Sequence, residues 1–444
     1  MEDLSNKFPG ASTALEVADS STQQKSQALP VVPNSTYDAL IMDAKLRQSL
    51  VTVRSLGSRG MRVVALEVDS NANSLSRVPT FSSRWCKRHF VAPTYEQITQ
   101  PYLAYLEQVL EQTNARVLIT SSDGTLAVIR QHREQLERRV RIALAKEPAL
   151  AIAVNKEQTL KIAQRLGMGV PRGVIVASAH EVPAALSEVG LPAVVKPNES
   201  WLWGDQQGAR LVCELVTTPD EAKRAVEELT SLGGTTLFQQ FLSGRREAIN
   251  FLYANGEMYA RFAQWAKRTQ PPLGGTSVLR QSIAIPEDIG KQAEQLVREI
   301  DLEGYSEIEF RRDSNGTPYL MEINPRLSAS IEVALRAGVD FPYLLYQWAN
   351  GDRIDRIENY RVGGWMRYLE GDVITTVQAL SQRGRPGVTP PAQAILGFLG
   401  SFFIPMGYDY VDWRDPLPAC TALVDFSHLV LGKLGRGFSR RKHR

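Results

Sequence analysis

Short apolar runs alternate with segments of helical spacing in the first part of the chain. Runs at 39–42, 61–66 and 116–120 predict buried strands, and the leucines and valines of 46–59 recur at the spacing of a helix face. Strands that alternate with helices are typical of parallel βαβ units. The pattern therefore predicts a doubly wound parallel sheet for an N-terminal domain, residues 37–148.

Polar turns follow two of these strands. Asp43 comes after the first strand, and the turn Ser121–Gly124 comes after the third. Ligands of doubly wound sheets bind beyond the carboxyl ends of the strands, which makes both turns candidate substrate-side loops. The alternative, that the turns only cap the helices that follow them, agrees with the sequence equally well.

A second series of elements starts near residue 149 and mixes strands with helices less regularly. Two of its strands flank Asn255-Gly256, a dipeptide typical of two-residue hairpin turns. We therefore expect an α+β domain over residues 149–355. The remaining region, 356–444, is smaller and shows no clear periodicity.

The stretch 306–326, SEIEFRRDSNGTPYLMEINPR, predicts a hairpin. Asn315-Gly316 lies between two alternating runs, and a two-residue turn there places Glu309 opposite Glu322. Strand alternation then puts four polar side chains on one face, Glu307, Glu309, Glu322 and Asn324. It puts four apolar side chains on the other face, Ile308, Phe310, Met321 and Ile323.

The polar face of this hairpin calls for a cation. Like charges directly opposite each other destabilise a sheet, and oxygen ligands without His or Cys favour a hard ion such as Mg²⁺ held together with nucleotide phosphates. The alternative is a solvated outer face of an edge hairpin. Arg326 follows the acids directly, where it either neutralises them or binds a phosphate or carboxylate with two hydrogen bonds.

Composition excludes several classes of protein. Of the 444 residues, 43% are hydrophobic and 22% are charged, which rules out a wholly disordered chain. The three cysteines have no paired spacing, so we expect neither a disulfide framework nor a zinc knuckle, and a reducing, cytoplasmic compartment fits. The net charge of +3 is concentrated in the C-terminal tail, so the folded body lacks the basic surface of a nucleic-acid-binding domain.

Neither end of the chain carries a clear targeting signal. Residues 1–36 are polar and include acidic residues, so we interpret them as a disordered leader rather than a transit peptide. The longest apolar stretch, 394–406, is too short to span a bilayer. We expect it to form a buried helix or a packed loop, and we rank a membrane-surface contact assisted by the basic tail below that interpretation.

The order of these elements and motifs resembles the ATP-grasp superfamily, most closely its carbamoyl-phosphate-synthase-like, carboxylate–amine ligase branch. Residues 321–342, MEINPRLSASIEVALRAGVDFP, are the most specific part, and 46–66, LRQSLVTVRSLGSRGMRVVAL, is similar to the domain that precedes ATP-grasp in that branch. The resemblance covers roughly residues 37–355. It implies an α/β and α+β chain with a Rossmann-like N-terminal domain, a two-lobed ATP-grasp domain at 149–355 and a small C-terminal region.

The resemblance implies a nucleotide site and ATP as its ligand. The residues expected there by position are Lys156, Lys196, Gln240, Phe241, Leu242 and Glu247. The two lysines match those that contact the phosphates and base, and the three residues from Gln240 match an interlobe segment that presents backbone groups to adenine. Glu247 is expected near the ribose or the edge of the substrate. Family members commonly have Glu where this chain has Gln239 and Gln240.

The resemblance also implies a metal site and an arginine for phosphoryl transfer. Glu309, Glu322 and Asn324 match the ligands of Mg²⁺, for which Mn²⁺ is an alternative, whereas Glu307 is not a usual ligand. Arg326 matches the arginine that stabilises the transferred phosphoryl group.

Two loops complete the site that the resemblance implies. The loop 267–277 with Arg280 resembles a flexible segment over the triphosphate, so Lys267 and Arg280 join the catalytic candidates. The loop 199–208 departs from the glycine-rich phosphate lid of relatives, because it contains two tryptophans that are either core plugs or a cover over the substrate.

The implied activity is an ATP-dependent ligase that phosphorylates a carboxylate and joins the acyl phosphate to an amine, with ADP and phosphate as products. Two alternatives stay open: formation of an acyl or carbamoyl phosphate for another acceptor, and a regulatory module that binds ATP without catalysis. The expected partners are small-molecule carboxylate and amine substrates and no nucleic acid. A homodimer is also left open.

Overall fold

The computed structural model of the protein describes most of the chain after the leader. The described residues are 36–69, 77–203, 208–272 and 274–441, with side chains up to residue 430. The predicted leader, 1–36, lies outside them except for Thr36, and the basic tail lies beyond the described side chains. Among the described residues, no helix is both long enough and apolar enough to cross a membrane.

Five parallel strands form the first sheet, and helices connect them. The strands are β1 Ala39–Ile41, β2 Val63–Val68, β3 Cys86–Ala92, β4 Val117–Ile119 and β5 Arg141–Ile142, and the helices are α1 Arg47–Ser58, α2 Thr99–Thr113, α3 Asp123–Gln131 and α4 Arg133–Glu137. Their order in the sheet is β3-β2-β1-β4-β5. The winding direction reverses between β1 and β4, which confirms the predicted doubly wound sheet.

A four-stranded antiparallel sheet and a short separate hairpin follow. The elements are α5 Ala149–Val154, α6 Lys156–Arg165, β6 Gly173–Val176, α7 Val182–Val189, β7 Ala193–Pro197, β8 Trp201–Trp203, β9 Gly208–Arg210, β10 Glu214–Val216, α8 Pro219–Thr230 and β11 Thr236–Gln240. The sheet order is β10-β7-β11-β6, and β8 pairs only with β9. The local sequence explains α8 well, because Thr218 caps it by accepting from Glu221 N and Pro219 occupies its first position.

The largest sheet has seven strands and holds the predicted hairpin at one edge. The elements are β12 Arg246–Ala254, β13 Glu257–Gln270, β14 Thr276–Ile283, α9 Glu287–Glu299, β15 Gly304–Arg312, β16 Pro318–Asn324, α10 Glu332–Ala337, α11 Phe341–Asn350, β17 Trp365–Arg367, α12 Leu369–Ser381, α13 Pro391–Gly400, β18 Met406–Tyr408 and α14 Leu417–Arg441. The order is β16-β15-β12-β13-β14-β17-β18. One continuous apolar core joins β1 and α1 of the first sheet with β12, β13, α10 and α11.

The C-terminal region is more structured than its sequence suggested. β17 and β18 extend the seven-stranded sheet beyond β14, so this region completes the sheet. The expectation that 394–406 is buried or packed is wrong, because Ala394 is the buried residue of α13 and most of the large side chains that follow it are exposed. The division of the chain at residues 36, 148 and 355 stays a prediction.

Buried ion pairs tie the C-terminal strands to the sheet. Arg280 of β14 donates to both carboxylate oxygens of Asp409, at 2.6 and 3.2 Å, and Arg47 of α1 contacts the same carboxylate. Arg367 is paired with Asp372 at 2.7 Å, and both side chains are fully buried. Burial alone would raise the pKa of Asp409, but the two arginines outweigh it and hold that pKa below its usual value.

We expect Asp409→Ala to destabilise the whole protein. The substitution leaves the guanidinium groups of Arg280 and Arg47 buried without their shared counter-ion, which typically costs about 3–5 kcal/mol. The free energy of unfolding, measured by urea denaturation, checks this. Asp355→Ala, in the exposed pair with Arg353, is the matched control and should change stability by less than about 0.5 kcal/mol. If the two variants were equally stable, the buried ion pairs of Asp409 would not hold the C-terminal strands to the sheet.

Candidate active site

The β15–β16 hairpin brings the predicted carboxylates together. Glu309 pairs with Glu322, and Glu307 pairs with Asn324, which confirms the predicted register at these positions. The turn between the two strands is one residue longer than predicted. Asp313 N donates to Thr317 O, so the loop holds three residues instead of two. A bulge next to Glu309 compensates for the extra loop residue and restores the predicted pairs.

The bulge changes the position of Met321. Phe310 pairs with Leu320 instead of Met321, and Leu320 is fully buried. The sulfur of Met321 lies 3.7 Å from Lys196 Nζ. The expectation that Met321 shares the apolar face with Phe310 is therefore wrong, because the extra residue of the bulge places it beside Glu322.

Two lysines from the neighbouring elements face the hairpin. Lys156 is the first residue of α6, where Asn155 caps the helix, and its Nζ lies 3.5 Å from Glu322 Oε2 and 3.2 Å from Ser200 Oγ. Burial would lower the pKa of Lys156, but Glu322 outweighs it and raises that pKa. Burial lowers the pKa of Lys196, which stands in β7, so its charge is incompletely compensated and favours an anionic ligand.

Glu309 is held by an arginine that the sequence analysis missed. Arg246 of β12 donates through Nη2 and Nε to the two oxygens of Glu309, at 2.5 and 3.0 Å. Asn324 Nδ2 donates to the same carboxylate at 3.1 Å. Burial raises the pKa of Glu309 to about 7, against the opposing effect of Arg246. In the sequence, Arg246 stands at the start of an alternating strand. No spacing in the sequence relates that position to the hairpin.

Glu307 lies behind the other acids. Its Oε2 accepts hydrogen bonds from Asn250 Nδ2 and Gln264 Nε2, both at 3.1 Å, and from Ser330 Oγ at 3.4 Å. The side chain is buried. These contacts fix Glu307 within the sheet, and its exclusion from the metal ligands stays a prediction.

Arg326 is bound by a residue from the first sheet. Arg326 Nε lies 2.6 Å from Asp123 Oδ1, and Asp123 is the first residue of α3. Burial would raise the pKa of Asp123, but Arg326 outweighs it and lowers that pKa. Ser122 caps α3, and Asp43 accepts from Ser122 Oγ at 2.9 Å and from Ser121 N at 2.8 Å. The polar turns therefore cap a helix and also place a carboxylate at the site.

Comparisons with known proteins agree with this geometry. Residues 234–370 match the family model described as "ATP-grasp in the biosynthetic pathway with Ter operon". That range holds the whole β15–β16 hairpin with its carboxylates. The chain contains an ATP-grasp domain.

Relatives of the ATP-grasp chain include two kinds of named enzyme. It is 24% identical over 212 residues to the D-alanine–D-alanine ligase of Nitrosospira multiformis, covering 44% of this chain and 66% of that protein. It is 27% identical over 330 residues to the carbamoyl phosphate synthase large chain of Thermus thermophilus, covering 69% of this chain and 30% of that protein. The chain thus spans less than two thirds of the length of either relative.

Solved structures show the same fold at low sequence identity. The biotin carboxylase domain of the Hydrogenobacter thermophilus 2-oxoglutarate carboxylase superposes with a TM-score of 0.57 at 14% identity, covering 75% of this chain and 74% of that one. The L-amino acid ligase of Bacillus licheniformis gives a TM-score of 0.54 at 19% identity, with 71% and 75% covered. The chain therefore shares the fold of these structures.

The segment that the sequence predicts between the two lobes lies at the end of β11. The N–H groups of Gln240 and Phe241 donate to Arg172 O and Pro192 O, and Leu242 is buried. An adenine contact in this segment would therefore use groups other than these two N–H donors.

Two arginines contact Glu247, the residue expected near the ribose. Glu247 accepts from Arg312 Nε at 2.8 Å and forms an ion pair with Arg245 at 3.0 Å. In this arrangement each of its oxygens already has an arginine partner, so a ribose hydroxyl would share an oxygen with one of the arginines. The roles of Glu247 and of the interlobe residues stay predictions.

Lys267 and Arg280 do not lie in a loop. Lys267 belongs to β13 and its Nζ lies 5.7 Å from the centre of the Trp365 ring, whereas Arg280 is fully buried in β14 against Asp409. Only the connection between these strands is a loop, and its residue 273 lies outside the described part. The structure does not bring these two residues to the carboxylates, and their catalytic roles stay predictions.

The tryptophan segment contacts the first sheet. Trp201 is buried, and its ring centre lies 5.4 Å from those of Tyr95 and Trp203. Residues 204–207 of the predicted loop lie outside the described part. Trp201, Lys156 and Glu322 line a cavity of about 40 Å³, which is room for only a few water molecules.

A close backbone approach holds the hairpin against α6. Leu320 N donates to Gly169 O at 2.8 Å, and a Cβ at Gly169 would lie 2.5 Å from the carbonyl oxygen of Pro318. We expect Gly169→Ala to push the hairpin away and to destabilise the protein by about 1–3 kcal/mol, as overpacking does. Urea denaturation measures the effect.

Gly400→Ala is the matched control, because a Cβ there meets no atom within 4 Å. We expect this control to be as stable as the wild type or slightly more stable. A Gly169→Ala variant that unfolds at the same urea concentration as the control would contradict the close approach.

Proposed function

We propose that the protein is an ADP-forming ligase that uses ATP to activate a carboxylate and joins it to an amine. The observation that carries the proposal is the pairing of Glu309 with Glu322 on one hairpin, with Lys156 and Lys196 facing them. We infer that the lysines bind phosphates and that the neighbouring oxygens bind the metal of those phosphates.

The donor set fits Mg²⁺, with Mn²⁺ as an alternative. Glu309, Glu322 and Asn324 offer two carboxylates and an amide oxygen, which are the ligand types that hard divalent cations prefer. Among the described residues, no group of three or more His, Cys, Asp or Glu side chains is arranged to hold a metal ion. When bound, the metal would neutralise negative charge on the phosphates. Arg246 fixes the position of the Glu309 carboxylate on the hairpin.

The side chains of the chain supply binding and charge neutralisation. Lys156 and Lys196 bind phosphate oxygens, and Arg326 stabilises charge on the transferred phosphoryl group. A substrate carboxylate oxygen attacks the γ-phosphorus, and the bond to ADP breaks. The amine then attacks the acyl carbon, phosphate leaves, and the amine nitrogen loses a proton. No side-chain nucleophile is needed.

The named relatives support this class of reaction. The chain is similar to proteins named D-alanine–D-alanine ligase and L-amino acid ligase, and a neighbour of the same fold was solved with MgADP and bicarbonate. These names support ATP as the nucleotide, and small carboxylates and amines as substrates. The assay with pooled carboxylic acids and amines identifies the two substrates.

We expect Glu322→Gln to abolish ADP formation. The variant keeps the size of the side chain but removes a metal ligand, so turnover should fall by about a hundredfold or more. The assay measures ADP release from Mg²⁺·ATP with pooled carboxylic acids and amines. Glu257→Gln, at the exposed start of β13, is the control and should keep full turnover.

The products of the same assay separate the alternatives. ADP formation that needs both pools supports the ligase, whereas ADP formation with acids alone supports acyl phosphate synthesis for another acceptor. AMP formation would overturn phosphoryl transfer to the carboxylate. Full turnover of a correctly folded Glu322→Gln variant would overturn the metal assignment.

Arg326→Ala should lower turnover much more than ATP affinity. A group that contacts the transferred phosphoryl acts mainly in the transition state, so we expect kcat to fall about a hundredfold while the Kd for ATP changes by less than about threefold. Single-turnover kinetics and equilibrium nucleotide binding measure the two quantities. A large change in Kd with unchanged kcat would instead make Arg326 a ground-state nucleotide contact.

A further inference from the structure

An apolar surface on α13 is unused by the proposed function. Five large side chains on this helix and on the turn after it are exposed, with exposed fractions between 43% and 88%. They are Ile395, Leu396, Leu399, Phe402 and Phe403, which we call the α13 patch. Clustered apolar side chains on a protein surface mark a site of contact with a partner or a membrane.

Arginines hold the inner side of α13. Arg268 donates to Gly397 O at 3.2 Å and to Ser401 Oγ at 2.9 Å, and Arg367 donates to Phe398 O at 3.1 Å. A surface helix normally turns its apolar stripe toward the core. Here two arginines bind backbone carbonyls and a hydroxyl of this segment, and Arg367 also lies against the rings of Phe398 and Phe402, at 4.5 and 4.3 Å from their centres. Ile395, Leu396, Leu399 and Phe403 remain exposed.

The patch lies on one side of the helix. At about 100° per residue, Ile395, Leu396 and Leu399 share one face, while the buried Ala394 and the contacted Gly397 share the opposite face. The patch is therefore continuous along α13 and leads into the two exposed phenylalanines of the following turn.

The distribution of charge along the C-terminal sequence favours an anionic bilayer over a protein partner. The sequence has no Asp, Glu, Lys or Arg between Arg385 and Asp409, whereas protein interfaces normally carry polar groups that fix a register. Arg383, two residues before Arg385, is exposed. After Asp425 the sequence has no acidic residue but carries six basic ones, Lys433, Arg436, Arg440, Arg441, Lys442 and Arg444.

We propose that the α13 patch docks the protein on the surface of an anionic lipid bilayer, with the basic C-terminal sequence adding electrostatic attraction. Helix α13 has 10 residues and is thus about 15 Å long, half the thickness of a hydrocarbon core of about 30 Å. The helix therefore lies in the interface, with the patch in the outer hydrocarbon. The role is independent of the ligase reaction.

Vesicle flotation of the full-length protein tests the proposal. The probes are phosphatidylcholine vesicles with and without phosphatidylserine, at low and high salt. We expect binding to the phosphatidylserine vesicles that weakens with salt, and a partition coefficient that falls about tenfold or more in a Leu396→Ser, Phe403→Ser double variant. Ile98→Ser, at an equally exposed apolar residue before α2, is the control and should bind as wild type.

A chain truncated after Gly432 separates the contribution of the α13 patch from that of the basic C-terminal sequence. We expect it to lose the preference for phosphatidylserine and to keep ADP formation unchanged. Absence of vesicle binding at low salt, or equal binding by the double variant and the wild type, would overturn the proposal. Sedimentation velocity gives a second test. If the wild type is a dimer and the double variant is a monomer, the proposal is overturned, because the patch is then a contact between two copies.

Discussion

Glu309 and Glu322 repel each other across two neighbouring strands, and the contacts around them offset that repulsion. Like charges held directly opposite each other destabilise a sheet, and burial increases the effect because water no longer screens them. Arg246 binds Glu309 with two hydrogen bonds, and Lys156 lies 3.5 Å from Glu322. Each acid therefore has its own cation from a different element, and the pair stays together only if β12 and α6 are in place.

The need for these cations explains why the site depends on distant parts of the chain. Lys156 starts α6, and Gly169 in the loop after that helix binds the hairpin backbone, whereas Arg326 is held by Asp123 at the start of α3. A shift of either element would remove a counter-charge from the cluster. The first sheet is thus part of the electrostatic balance of the site as well as a neighbour of it.

The sequence predicted the local parts of the site better than the long-range ones. The register of Glu309 and Glu322 follows from alternation and a turn signal, although the three-residue loop and the bulge shift it in opposite directions and cancel. Alternation cannot predict a bulge, so Met321 was placed on the wrong face. Arg246 was missed, and Asp123 was expected only as part of a polar turn and not as the partner of Arg326. Both residues reach the hairpin through strand pairing and helix packing, which no spacing in the sequence encodes. The parallel sheet was predictable because each βαβ unit carries its own pattern.

The same long-range arginine contacts account for the surface of the C-terminal region. Arg268 and Arg367 are both paired with the buried Asp372 and also bind groups of α13, so the helix is anchored through its polar atoms. Sequence reasoning assigned the apolar stretch to the interior because apolar side chains usually supply the packing energy of a helix. Where ion pairs and backbone hydrogen bonds supply the attachment instead, the apolar side chains are left free to face outward. An exposed apolar helix is then compatible with a stable fold, and its side chains can be changed without loss of the contacts that hold the helix.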